Sequence, residues 1–106
     1  MARHIDFTKH SDPVRMAAHA IGLDHKRPYI RHGKTFYRPY RNRYCAPVGE
    51  QYHAYNVWKQ LCDYGYAACK EHDRGENHLA ATFWLTRSGL DWLGETLGIT
   101  IHDEGD

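Results

Sequence analysis

Seven basic side chains, Lys26, Arg27, Arg31, Lys34, Arg38, Arg41 and Arg43, fall between His25 and Gly49 with no Asp or Glu among them. Aromatic rings are interleaved with them at Tyr29, Phe36, Tyr37, Tyr40 and Tyr44. Guanidinium groups match phosphate oxygens in pairs, and lysine adds a compact point charge. Rings offer faces on which bases or guanidinium planes can stack. These residue types predict contact with a polyanion, with Arg27, Arg31, Lys34, Arg38, Arg41 and Arg43 on phosphates and Tyr37 and Tyr40 stacking or supporting them. In a second reading the rings face the core while the arginines pair with acids from the rest of the chain. The two coexist if the segment is extended, because alternate residues then face opposite ways. An acidic protein surface would meet the same patch, so its sign leaves nucleic acid and nucleoprotein both open.

Cys62, Cys69, His72 and His78 form a second constellation, C-x6-C-x2-H-x5-H. Zinc takes four soft or borderline ligands in a tetrahedron, commonly as two close pairs brought together by a turn. Cys69 and His72 would make one close pair, with His78 returning from the same loop and Cys62 reaching from a helix end. Cys45 and His53 are alternative ligands. The competing reading has Cys62 in a helix core stripe, Cys69 packed in a strand and the histidines solvated. Cys69, His72 and Asp73 also supply the residue types of a thiol nucleophile with a base. However, the chain has no Gly-rich phosphate loop, no G-x-S-x-G and no H-E-x-x-H. A non-enzymatic protein is therefore expected. His19 and His25 read as structural or solvated.

The elements that position these groups can be read from periodicity and punctuation. Ser11-Asp12-Pro13 announces a helix carrying Val14, Ala17, Ala18 and Ile21, closed by Gly22. Pro28, Gly33, Pro39 and Pro47 forbid a long helix in the basic segment, and Thr35 to Tyr40 reads as an extended edge. A second helix is expected over about residues 49–64, with Tyr52, Tyr55, Trp58, Leu61 and Cys62 on one stripe. Residues 66–70 and 79–85 read as two strands joined by the polar loop EHDRGEN. Thr86 should cap a third helix with Leu90, Leu93 and Leu97 on one face, ended by Gly98, and Ile99 and Ile101 would add a terminal extended piece. Trp84 alternates with Phe83. An exposed ring there would mark a contact site or a homodimer interface.

With 106 residues the chain has room for one core. Its organisation reads as an N-terminal arm (1–10), a helix plus the basic aromatic segment (11–49), a helix–hairpin–helix half (50–101) and an acidic tail (102–106). The formal net charge is only +1, because seven bases and all thirteen acids lie outside the basic segment. Such segregation implies one positive and one negative face. No apolar run approaches the ~18 residues of a membrane span, and MARHIDFTKH lacks the apolar stretch of a signal peptide. Three cysteines suit a reducing compartment, so a cytoplasmic protein is expected.

The segment YNVWKQLCDYGYA, a polar tip and TFWLTRSGLDWL together resemble the second half of a winged-helix domain, from roughly Tyr52 to Leu97. That resemblance implies a small α+β fold with about three helices, a two- or three-stranded antiparallel sheet and a hairpin wing. GLDHKRPYIRHGKTFYRPYRNRY with LTRSGLDWLGETLGITI resembles short phage and prophage proteins of gut bacteria. This second resemblance implies action in the bacterial cytoplasm. It also implies one of two roles: a nucleic-acid-binding regulator, or an anti-defence inhibitor of the anti-CRISPR type that binds a Cas effector and is zinc-stabilised if the four ligands converge.

Overall fold

A computed structural model describes residues 9–73, 75 and 79–102. His78, most of the expected arm and nearly all of the acidic tail lie outside the described residues. The element order is α1 (Asp12–Ala20), β1 (Tyr29–Arg31), β2 (Lys34–Tyr37), β3 (Tyr44–Pro47), α2 (His53–Asp63), β4 (Ala67–Asp73), β5 (Leu79–Leu85), α3 (Arg87–Leu97) and β6 (Thr100–Ile101). This is a small α+β fold with three helices and mainly antiparallel strands.

Helix ends follow local chemistry. Ser11 enters α1 in extended geometry with Pro13 in the first turn, and Gly22 leaves it at φ +84°. The Thr86 side chain accepts from Gly89 N at 3.1 Å to cap α3, and its hydroxyl donates to Gly65 O at 2.7 Å, tying the end of α2 to the start of α3. The start of α2 differs from expectation. Residues 49–52 form a turn, Tyr52 N donating to Gly49 O at 3.1 Å, and the helix begins at His53.

The strands form two three-stranded sheets in place of the single sheet expected, ordered β1-β2-β6 and β3-β5-β4. The segment around Pro39 separates them. Proline has no N–H to donate to a ladder, so β2 stops at Tyr37 and the chain crosses the end of α1 before β3. β6 lies parallel to β2, and every other pair is antiparallel. The β1–β2 hairpin went unread in the sequence. Its loop is His32-Gly33, at φ +53° and +76°, the two positive dihedrals that a tight two-residue hairpin turn requires.

The core lies between the sheets and the helices. Trp58 of α2 is fully buried, packed 5.4 Å from Tyr44 and 5.6 Å from Phe83 between ring centres. Ala81, Phe83 and Leu85 face it from β5, as their alternation predicts. Leu90 and Leu93 of α3 join Val14, Ala17, Ala18 and Ile21 in the same cluster.

Candidate functional site

The basic segment folds into two parts with different duties. Residues 39–43 form a strap across the end of α1. Arg43 N donates to Ala20 O at 3.1 Å, and Arg41 Nη2 donates to His19 O at 2.7 Å, on a carbonyl of the helix's last turn. The same guanidinium lies 3.9 Å from Asp24 and 5.4 Å from the centre of the Tyr40 ring, with its side chain only 29% exposed. Tyr40 is seated against Gly22, where a Cβ would come within 2.2 Å of the ring. Arg41 therefore caps a helix, and one face of Tyr40 is taken up against the glycine.

Residues 26–38 carry the β1–β2 hairpin. The register pairs Tyr29 with Phe36 and Arg31 with Lys34, so these four share one face. Thr100 pairs with Phe36, and His102, two residues on, belongs to the same face. The rings form a row across the sheet: Tyr29 to Phe36 is 5.8 Å at 24° and Phe36 to His102 is 5.7 Å at 11°. Arg27, Arg31, Lys34, Arg38 and Arg43 are exposed, and β1, β2 and β6 contain no acid. Lys26, also exposed, donates to Arg38 O at 3.1 Å and lies 5.9 Å from the centre of the Tyr37 ring.

Tyr37 corrects one assignment. It is 0% exposed, and its hydroxyl donates to Ile21 O at 2.9 Å across the core. Burial holds its phenol well above the usual tyrosine range, and Tyr40 adds to the effect. No face is left for a base, so Tyr37 supports the sheet from beneath. The alternation that places Phe36 outward places Tyr37 inward. His102 was missed, although Ile99 and Ile101 already signalled an extended end one residue before it.

The Cys/His constellation separates. On β4, Cys69 pairs with Phe83 on the core face, whereas His72 pairs with Ala80 on the opposite face, because residues three apart in a strand point opposite ways. Burial pushes the thiol of Cys62, on α2, up to about 11, with neighbouring Cys69 contributing, so the two thiols meet where α2 packs on β4. His72 Nε2 instead meets Thr82 Oγ1 at 3.1 Å, and Cys45 Sγ reaches the same hydroxyl at 3.5 Å from β3. Cys69 and His72 can neither share a tetrahedral ion nor act as nucleophile and base. His53 is elsewhere, 2.7 Å from Asp12.

His19, Asp24 and His25 are the three potential ligands that do converge among the described residues, their atoms within 4.8 Å of one another. All are exposed, and Arg41 already attends the Asp24 carboxylate. Partial burial works against ionisation of Asp24, but the hydrogen bond and charge of His19 outweigh it and hold the carboxyl below its usual range. The group reads as an ion-pair cluster at the end of α1. Trp84 is 36% exposed on the outer face of the second sheet. Among the described residues no helix is long and apolar enough to cross a membrane. Compared with protein families, curated proteins and solved structures, the chain matches none.

Proposed function

We propose that this is a non-enzymatic nucleic-acid-binding protein whose contact surface is the open face and hairpin end of the β1-β2-β6 sheet. The observation that carries this reading is where the charge falls. Arg31 and Lys34 share a face of a sheet whose three strands contain no acid, with Arg27 and Arg38 flanking the strands and Glu95 of α3 in the cleft beside Lys34. A concentrated positive surface on a molecule of near-zero net charge orients it in the field of a polyanion. Arg41 and Tyr37 serve the fold and Arg43 stands apart on the strap, so the phosphate-contacting set on this sheet contracts to Arg27, Arg31, Lys34 and Arg38.

The winged-helix likeness enters this proposal through order alone, α2, the β4–β5 hairpin and α3 following one another as in that family. α2 carries one lysine, Lys59, against one aspartate, Asp63, and β4 ends on Glu71 and Asp73. Phosphate contact is therefore assigned to the other sheet, away from a helix or wing. The likeness to phage and prophage proteins supports a setting in the bacterial cytoplasm.

The test is fluorescence anisotropy with labelled oligonucleotides at about 50 mM salt, where phosphate contacts are strongest. The double variant Arg31→Glu/Lys34→Glu should weaken binding at least about tenfold, each lost contact also flattening the salt dependence by about one charge. Its circular dichroism should be unchanged, since both side chains are exposed. Unchanged affinity in this variant overturns the assignment. Absence of any nucleic-acid binding, together with a stoichiometric complex with a Cas effector, would replace it with the inhibitor reading.

A further inference from the structure

Resting on the binding reading above, we infer that the Tyr29–Phe36–His102 row is a stacking platform for unpaired bases, so the polyanion is single-stranded DNA or RNA. Charge alone does not distinguish a duplex from a single strand, whereas rings do. In a duplex the base faces are already stacked on one another, and only phosphates and groove edges are presented. A single strand has free base faces, and each that settles on an aromatic ring contributes about 1–3 kcal/mol by alanine substitution.

The geometry suits this chemistry in three ways. The three rings are near-parallel, one on or just beyond each strand of the sheet, so they form a continuous row from edge to edge. Both ends are sheet edges among the described residues. Tyr29 on β1 is 41% exposed, and a base laid against it extends the row. Arg31 and Lys34 stand on the same face, beside the rings, where the phosphates of a strand whose bases engage the row would pass. The opposite face of this sheet is packed at Tyr37 and Ile101, which hold β2 and β6 from below, while Ile30 of β1 stays 45% exposed on that side. A small sheet with aromatics across its face and cations at its margin is a general solution for single-strand contact.

The experiment compares labelled mixed-sequence strands of about twelve nucleotides as single-stranded DNA, single-stranded RNA and duplex DNA. Single strands should bind at least about tenfold tighter than the duplex, with Tyr29→Ala and His102→Ala each costing about fivefold or more and Tyr29→Phe retaining affinity. A preference between the DNA and RNA strands names the source. Duplex binding equal to or tighter than single-strand binding overturns this inference and leaves the binding reading intact. A single-strand preference that survives both alanine variants also overturns it, because the rings then contribute nothing. No binding to any of the three overturns both. Tyr29→Leu keeps an apolar side chain at the edge and removes the ring, so a loss shared with Tyr29→Ala at unchanged circular dichroism assigns the effect to stacking.

Discussion

The molecule contains two three-stranded sheets, and they divide its work. The β3-β5-β4 sheet is long, with seven residues in each of β4 and β5, and it buries Ala81, Phe83 and Leu85 against Trp58. The β1-β2-β6 sheet has strands of three, four and two residues and buries mainly Tyr37 and Ile101. Such short ladders contribute little by themselves, so the second sheet is held by outside ties. Tyr37 reaches Ile21 O, and Arg87 Nη2 donates to Ile101 O at 2.5 Å. The segment richest in charge and ring chemistry is thus carried by the part with the least core. Contact surfaces tend to fall on such regions, where side chains are not already committed to packing.

The largest expected effect tests where stability resides. Trp58→Ala removes a fully buried ring from between Tyr44 and Phe83 and should cost about 3–5 kcal/mol in urea unfolding. Tyr29→Ala, on an exposed edge of the small sheet, should stay within about 0.5 kcal/mol of the parent. Comparable losses at the two sites would remove the division.

Gly89 gives a sharper test because two effects have opposite signs. Alanine in a helix interior is ordinarily favoured over glycine by about 1 kcal/mol. Here a Cβ would lie 1.9 Å from the Tyr66 carbonyl oxygen, which already accepts from Thr86 N at 3.0 Å. Gly89→Ala should therefore destabilise by about 1–3 kcal/mol, since the α3 backbone must move. A gain in melting temperature would show that α3 does not sit this close to the corner after α2. Next in size is Tyr37→Phe, which leaves the ring in place and removes only the hydroxyl that reaches Ile21 O. The expected loss is about 1 kcal/mol by urea unfolding.

The two sheets were unequally legible in the sequence. The core face of β5 could be read at Ala81, Phe83 and Leu85 because burial of one face imposes alternation there, although Leu79 is exposed and Ala80 buried at the start of the strand. Helices α1 and α3 were legible from Pro13, Gly22, Thr86 and Gly98, which mark their ends by mechanism, whereas α2 has no capping side chain and starts later than its stripe suggested. β1 and β3 were not, since three or four residues are too few for a period to register, and β3 has Pro47 at its end. Of the site, the cations and most of the rings were visible, but their sharing of a face depended on a register set by the His32-Gly33 turn. Tyr37, Arg41 and the thiols were misplaced for one reason. Proximity along a strand or strap says nothing about which side a group faces until the pairing is known.

The smallest expected effect separates the two faces of the long sheet through its thiols. Cys45 is exposed on the outer face, whereas Cys62 of α2 is part-buried beside Cys69 of β4, where burial raises its thiol from the ordinary 9.0 to about 11. A raised folded value means that the unfolded chain loses this proton first as pH rises. The stabilising contribution is thus fully present below pH 9 and declines between pH 9 and about 11. Cys62→Ala should lower stability at neutral pH through the small cavity it leaves, yet lose less than the parent as pH rises through that window. Urea midpoints for both proteins on either side of the window measure the difference, which cancels the titration of lysines and tyrosines common to the two. Iodoacetamide at about pH 8, followed by peptide mass mapping, should modify Cys45 first, since the thiolate is the nucleophile and Cys62 is held protonated. If Cys62 reacts as fast as Cys45, α2 does not cover this face of the sheet, and the contrast between a covered core face and an open outer face is lost.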